Sequence, residues 1–190
     1  GQKRELSAPG IYWEYNDVRV NALSLALLHV FRRPLPEVLR DSVMAPIGAS
    51  DEWKWMGYRN SQVTIDGVEM ISVPGGTHWG GGMQISSLDH ARFGHLIKQD
   101  GVWDGRRILP DGWVREVRTP CPINPVYGYL WWLNPDRTQY PSAPETSFFA
   151  LGAGTNLIWI DQELDILAVF RWVDRASLDA LISGFMAALE

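Results

Sequence analysis

The sequence places a phenol and a carboxylate two residues apart near its start, at Tyr15 and Asp17. A tyrosine can relay protons in catalysis when its surroundings lower its pKa from the usual value of about 10. Structural roles are also open, because the Tyr15 ring can close the start of a helix as an apolar staple and Asp17 can cap that helix. Both residues are therefore candidate site residues, with these structural alternatives beside them.

Glycines mark a second candidate site at 150–154, where the sequence reads Ala-Leu-Gly-Ala-Gly. Because Gly152 carries no Cβ, backbone or a ligand can approach the chain closely there. The alternative is a glycine bulge within a strand, which needs no ligand.

A glycine-rich loop at 75–82 carries a third group of candidates, His78 and Trp79, which could line a cleft. The loop lacks the Gly-Lys-Ser/Thr sequence of a phosphate-binding loop. His90 and His95 are five residues apart, a spacing that does not bring two metal ligands together on one helix. We interpret both as surface or packing residues. We therefore expect no metal site and no cofactor.

Composition bears on the class of partner. The net charge of −5 disfavours nucleic acid, and the longest apolar run, 22–28, is too short to cross a bilayer. The single cysteine, Cys121, excludes an intrachain disulfide and a cysteine-based zinc site. Ten tryptophans indicate a large core or an aromatic-lined cleft. We expect those on predicted strands to lie in the core, namely Trp131, Trp132, Trp159 and Trp172. Those in irregular segments are better cleft candidates, namely Trp53, Trp55 and Trp79. We expect a small-molecule ligand, with no nucleic acid and no membrane span.

A predicted β-hairpin positions the glycine segment. Apolar runs at 156–160 and 166–173 flank a polar turn at 161–165, a pattern typical of two paired strands. Neither run alternates cleanly, so we expect both faces of the sheet to be covered. A helix predicted over 177–189 can pack against this sheet.

Helices and loops precede this hairpin. We predict helices over about 18–32, 36–44, 86–98 and 110–118, and one strand over 127–133. Ser86 with Asp89 makes a capping box that begins the helix over 86–98. The first helix is apolar almost all round, so we expect it to be buried. The order predicts an α+β fold, with a mainly helical region at 1–122 and an antiparallel sheet with a C-terminal helix at 123–190, both within one domain.

Several segments resemble, in the same order, those of serine β-lactamases, penicillin-binding proteins and related esterases. PGIYWEYND resembles the segment with the Tyr-x-Asn motif, and PLPEVLRDSVMAPIGA resembles the stretch that follows it. GGMQISSLDHARFGHLI resembles the family's glycine pair and capped helix, and YGYLWW and FFALGAGTNLIWIDQELDILAVFRWV resemble its last strands. The set is most similar to the class C-like branch of carboxylesterases and 6-aminohexanoate-oligomer hydrolases. It implies a partial β-lactamase/transpeptidase-like fold.

This resemblance implies roles for the candidate residues. Tyr15 matches the motif tyrosine, whereas Asp17 stands where the family usually has asparagine, so substrate contact and helix capping both stay open for it. The backbone N–H of Ala153 matches the second donor of the oxyanion hole. Ala150 to Gly152 stand where relatives have Lys-Thr-Gly or His-x-Gly. The cation that would bind a β-lactam carboxylate is absent there, which favours a neutral ester or amide substrate.

The family's nucleophile is the serine of a Ser-x-x-Lys motif, and no serine of this sequence has a lysine three residues later. In the family that motif precedes the tyrosine motif, and only fourteen residues precede Tyr15 here. The resemblance therefore implies the C-terminal portion of a serine hydrolase that acts through an acyl-enzyme, with this chain alone inactive. The alternative is a non-catalytic binding or assembly module of the same fold. An upstream Ser-x-x-Lys favours the enzyme, and its loss favours the module.

The resemblance also has a consequence for assembly. In the family, the first strands pair beside the last one. Without them, the strand from Ile166 to Val173 would present an open apolar edge, which is a template for pairing with another chain. We expect self-association as a homodimer through this edge.

Overall fold

The computed structural model describes residues 7–76 and 82–189. Its helices are α1 (Asp17–Phe31), α2 (Leu35–Leu39), α3 (Ser87–Lys98), α4 (Trp113–Val117) and α5 (Leu178–Ala187). A π-helical turn, Arg40–Met44, continues α2, and 3₁₀ turns lie at Pro135–Arg137 and Arg175–Ser177.

Three short antiparallel ribbons occupy the first part of the chain. They pair β1 (Lys54–Met56) with β4 (Gly82–Gln84), β2 (Gln62–Ile65) with β3 (Val68–Ile71), and β5 (Val102–Trp103) with β6 (Arg106–Arg107).

A five-stranded antiparallel sheet occupies the second part. Its strands are β7 (Tyr127–Gly128), β8 (Trp131–Leu133), β9 (Phe148–Gly152), β10 (Asn156–Asp161) and β11 (Ile166–Phe170), in the spatial order β11-β10-β9-β8-β7. Helices, antiparallel sheets and a C-terminal helix together confirm the α+β class.

The central hairpin, β10 and β11, forms as predicted and is covered on both faces. On one face, Trp159 is fully buried among residues that include Leu178 and Ile182 of α5. On the other face, Ile158 and Ile160 belong to a core cluster that includes Ile97 of α3. The absence of alternation in these strands therefore has its expected cause, which is burial on both sides.

The helix α1 is less buried than its sequence predicts. Leu28 packs with Ile65 and Met70 of the β2–β3 ribbon, so that one side of the helix is covered. By contrast, Val18 is 75% exposed and Val30 is 73% exposed. The prediction of a buried helix is wrong, because within the described residues α1 contacts a small ribbon and not a layer on every side.

The predicted strand over 127–133 is also wrong, since the segment forms a tight hairpin. Tyr127 pairs with Trp132, and Gly128 pairs with Trp131. Tyr129 and Leu130 make the turn between them, with Leu130 at a positive φ of 71°. A run of aromatic residues looks continuous in sequence, but the chain reverses within it.

Serine and aspartate fix the start of α3. The Ser86 side chain caps the helix by accepting a hydrogen bond from the Asp89 backbone N–H at 3.0 Å, as the sequence predicts. Burial opposes ionisation of the Asp89 carboxyl, but hydrogen bonds from Ser50, Ser86 and Arg92 outweigh it and hold its pKa below the usual value. The segment at Ser50 is thereby joined to the helix that packs on the sheet.

Helix α3 approaches the sheet closely at Gly94. A Cβ at this position would lie 2.6 Å from Leu167 Cδ1 and 2.8 Å from Ile158 Cγ2. We predict that Gly94→Leu lowers the free energy of unfolding by about 1–3 kcal/mol, because the helix must move away from a packed core. Urea denaturation followed by circular dichroism measures the change.

Gly184 supplies a matched control, because it is also a helical glycine but a Cβ there meets nothing within 4 Å. Gly184→Leu should leave stability unchanged or raise it by up to about 1 kcal/mol, since leucine favours helix over glycine. Equal destabilisation by both substitutions would show that Gly94 does not set the helix–sheet distance.

Candidate active site

A cavity of about 820 Å³ opens where the start of α1 meets one end of the large sheet. Its walls come from the segment before α1, from 75–76, β4 and α3, and from the chain around the end of β9 and the end of β11. Five of the candidate residues predicted from the sequence line this cavity. They come from two segments, one before and at the start of α1 and one at the end of β9: Tyr15, Asp17, Ala150, Gly152 and Ala153. The fold therefore brings together two segments that lie more than a hundred residues apart in the sequence.

An aromatic group holds Tyr15 at the cavity. Its ring stacks on Trp132 with 5.9 Å between centroids and lies edge-on to Tyr127 at 6.3 Å. Trp13 packs edge-on against the same two rings. The Tyr15 side chain is still 55% exposed, so the ring is fixed from one side and open to the cavity on another.

The pKa of Tyr15 shifts in the opposite direction from the one expected from the sequence. Partial burial and the negative charge of Asp17 raise the pKa of Tyr15 above its usual value. Burial and the neighbouring Tyr15 raise the pKa of Tyr127 to about 12. Both phenols are therefore neutral at pH 7, and the lowered pKa that the sequence argument invoked is not present in this chain.

Close packing against Gly76 sets the position of Asp17. A Cβ at residue 76 would lie 2.5 Å from the Asp17 Cα, so only glycine lets the loop lie against the first turn of α1. The Gly76 N–H donates a hydrogen bond of 2.9 Å to Asn21 Oδ1 on the next turn. Asn16, and not Asp17, caps the helix, because its side chain accepts from the Arg19 N–H at 3.2 Å.

A tight turn follows β9 and carries Ala153. Gly154 has a φ of +73°, and a Cβ there would lie 2.3 Å from the Trp172 ring. The Asn156 amide Nδ2 donates to the Ala153 carbonyl at 2.6 Å and so holds the turn from the other side. Glycine and asparagine thus fix the backbone around Ala153 without any large side chain.

Arg171 brings a cation to the same cavity and was not predicted from the sequence. Its Nε donates to Asn156 Oδ1 at 2.9 Å, and one terminal nitrogen donates to the Ile85 carbonyl. The signal was present in the predicted hairpin. Leu157 pairs with Phe170, so the next residues outward, Asn156 and Arg171, end up beside one another at the cavity.

His90 and Trp172 also line the cavity, which corrects their assignment as a surface or packing residue and as a core residue. Trp172 is 75% exposed, because it lies beyond the last paired residue of β11. The His90 Nδ1 atom is buried and has no hydrogen-bond partner within the described part of the chain. Burial and the charge of Arg171 lower the pKa of His90, and Asp89 opposes this shift.

The other sequence candidates lie elsewhere. His78 and Trp79 fall outside the described residues. Trp55 donates its indole N–H to the Pro74 carbonyl at 2.9 Å, and Trp53 packs in a separate core cluster, so neither lines the cavity.

The described residues offer neither a metal cluster nor a membrane-spanning helix. They contain no group of three or more histidine, cysteine, aspartate or glutamate side chains that could hold a metal ion. No described helix combines the length and apolar character needed to cross a bilayer.

Comparison with solved structures places this fold. A Bacillus anthracis protein whose proposed identity is a 6-aminohexanoate-dimer hydrolase superimposes with a TM-score of 0.73, at 18% identity, over 98% of this chain and 46% of its own. A Bacteroides dorei DSM 17855 protein whose proposed identity is a β-lactamase superimposes with a TM-score of 0.67, at 16% identity, over 98% of this chain and 60% of its own. The chain has a β-lactamase-like fold, as its sequence segments implied.

Sequence comparison gives a weaker result. No family model matches the chain. An uncharacterized protein of Alkalihalophilus pseudofirmus strain OF4 is 24% identical over 182 residues, covering 85% of this chain and 52% of that protein. The chain thus spans about half the length of the proteins it matches.

The lowered pKa of His90 predicts that acid destabilises the fold. The unfolded histidine, with a pKa of about 6.5, binds a proton before the folded one does, so this stability is present above about pH 6.5 and is lost as the pH falls below that value. His90→Gln should reduce this loss, since glutamine does not titrate. Thermal unfolding at several pH values measures the difference.

His29→Gln is the matched control, because His29 is an exposed histidine on α1. It should leave the pH dependence as in the unmodified chain. A His90→Gln profile that stays parallel to that of the unmodified chain would contradict the assignment of acid sensitivity to His90.

Proposed function

We propose that this chain forms one side of a serine hydrolase site that cleaves an ester or an amide through an acyl-enzyme. The observation that carries the proposal is the convergence of Tyr15 and the Ala153 backbone on one cavity, in a β-lactamase-like fold. In this proposal 1–122 and 123–190 are parts of one domain. The packing of α3 from the first part on the sheet of the second supports this.

The proposed nucleophile is the serine of a Ser-x-x-Lys motif. This sequence contains no such motif. That serine attacks the substrate carbonyl, and the Ala153 N–H stabilises the oxyanion that forms. Tyr15 and the lysine of that motif take the proton from the serine hydroxyl and pass it to the leaving alcohol or amine. Water then attacks the acyl-enzyme and releases the acid.

The raised pKa of Tyr15 is compatible with this role in the complete site. A neutral phenol is the form that donates a proton. A lysine ammonium placed beside Tyr15 would favour the phenolate and lower its pKa, which would let the same residue accept the proton first. Asp17 next to Tyr15 is proposed to contact substrate or to hold the phenol, since it lines the same cavity.

An intact-mass experiment tests the proposal. The chain alone, incubated with a fluorophosphonate probe, should acquire no adduct and should not hydrolyse a short-chain p-nitrophenyl ester. The polypeptide encoded by the complete reading frame should acquire one adduct, at the serine of a Ser-x-x-Lys motif. A complete reading frame without that motif would overturn the enzyme and favour the non-catalytic module.

Tyr15→Phe tests the proton relay in the same full-length polypeptide. We expect kcat to fall about 10²–10⁴-fold, because general acid–base catalysis is lost while the ring stays in place. Ester hydrolysis at neutral pH measures the change. Tyr129→Phe is the control, since Tyr129 is exposed on the β7–β8 turn, outside the cavity wall, and should retain activity. Equal kcat values for both variants would remove Tyr15 from the mechanism.

We also propose that the chain self-associates through β11. This strand stands at one end of the five-stranded sheet, and among the described residues it pairs only with β10, on one side. An unpaired strand edge is a template for pairing with a second copy. Light scattering from low to high micromolar concentration should show a dimer, and a monomer throughout that range would contradict the proposal.

A further inference from the structure

The turn that carries Ala153 is held mainly by side chains. Ala153 and Gly154 are exposed, so burial contributes little to holding this part of the chain. Thr155 has a φ of 56°, a left-handed conformation that is rare for a β-branched residue and persists only where the surrounding groups enforce it. Backbone strain of this kind is concentrated at functional sites. The groups that enforce this turn are therefore candidate functional residues.

Asn156 fixes Ala153 from both sides. Its backbone pairs with Gly152 in the β9–β10 register, which holds the peptide group before Ala153. Its side-chain Nδ2 donates a hydrogen bond of 2.6 Å to the Ala153 carbonyl oxygen, which holds the peptide group after it. Because the N–H of Ala153 belongs to the first of these peptide groups and its C=O belongs to the second, the backbone of this residue has little freedom to rotate.

Arg171 in turn orients the Asn156 amide. Its Nε donates to Asn156 Oδ1 at 2.9 Å, and one terminal nitrogen donates to the Ile85 carbonyl. A guanidinium only donates and a carbonyl oxygen only accepts. One amide orientation therefore satisfies both partners, with Oδ1 toward Arg171 and Nδ2 toward Ala153. The positive charge on the oxygen side also polarises the amide and strengthens the hydrogen bond that its N–H donates.

We propose that Asn156 is a positioning residue for the oxyanion hole and that Arg171 acts through it. The inference rests on the proposed function in one respect, namely that the Ala153 N–H is the oxyanion donor. Such a donor is effective when it is fixed in advance at about 2.7–3.1 Å from the place where the negative charge develops. The chain of hydrogen bonds from Arg171 through Asn156 to Ala153 supplies this fixation, and neither side chain needs to touch a reacting atom.

The mobility of the Ala153 N–H in the chain itself tests the inference without any hydrolysis. NMR relaxation of the backbone nitrogen gives the order parameter, which is about 0.85 for a rigid backbone and below about 0.6 for a flexible one. We expect the rigid value in the unmodified chain and the flexible value in Asn156→Ala. Asn60→Ala is the matched control and should keep the rigid value, because Asn60 is exposed on the turn before β2, outside this cavity.

Asn156→Asp is a second variant of the same size. A carboxylate keeps the contact with Arg171 but cannot donate to the Ala153 carbonyl, so this variant should also give the flexible value. Asn60→Asp is its control for the added negative charge. Circular dichroism checks that each variant is folded.

Hydrolysis by the polypeptide that the complete reading frame encodes gives a further readout. Asn156→Ala should lower kcat about 10–10²-fold, because a displaced oxyanion donor loses much of its 10²–10³-fold effect. KM should change by less than about threefold, since the lost interaction belongs to the transition state. A merely structural role would not separate kcat from KM in this way, and Asn60→Ala should leave both unchanged.

A double-mutant cycle tests whether Arg171 acts through Asn156. Arg171→Gln should lower kcat in the unmodified background but change it by less than about twofold in the Asn156→Ala background, because the two residues then belong to one chain of interactions. Additive losses would show that Arg171 acts independently of Asn156 and would overturn the relay.

Two other outcomes would overturn the inference. One is an order parameter of the Ala153 N–H that is the same in the unmodified chain, Asn156→Ala and Asn156→Asp. The other is an equal kcat for Asn156→Ala and Asn60→Ala. The order parameters need no substrate, so their failure leaves the proposed hydrolysis open to its own labelling experiment, and failure of labelling leaves the order parameters standing.

Discussion

The pairing of β10 with β9 on one side and β11 on the other is the constraint on which the rest of the structure depends. This pairing fixes three segments in one register, with Gly152 opposite Asn156 and Leu157 opposite Phe170. It therefore brings the turn after β9, the Asn156 side chain and Arg171 to one end of the sheet. Helices α3 and α5 bury the two faces, so this alignment is held by apolar packing on both sides.

Much of this framework could be predicted from sequence, because the relevant signals are local. Apolar runs around a polar turn identified the central hairpin, and Ser86 with Asp89 identified the start of α3. Ordered segments that resemble those of β-lactamases pointed to the fold that the structural comparisons show. The burial of α1 and the course of 127–133 were not predictable in this way. Burial depends on which surfaces meet the helix, and the reversal at Leu130 depends on a backbone conformation that carries no glycine signal.

The residues of the site also fall into two groups, those that could be predicted from the sequence and those that could not. Tyr15, Asp17 and the segment from Ala150 to Ala153 were identified by resemblance, and the fold gathers them at one cavity. Arg171 and His90 were missed because their place depends on strand register and on the depth of a helix. A sequence motif contains residues that are neighbours in the chain. A cavity, by contrast, is lined by charged side chains from elements that are distant in the chain.

The close approach of α3 to the sheet has a consequence for the chemistry of the cavity wall. Gly94 and His90 lie four residues apart on this helix, and so on the same side of it. Because residue 94 has no side chain, the helix lies close to Leu167 and Ile158, and the same side of the helix holds the half-buried His90 imidazole beside Arg171. Close packing at a residue with no ionisable atom thus accompanies the burial that lowers the pKa of His90. Substitutions at position 94 would therefore change the pKa of His90, although residue 94 itself does not titrate.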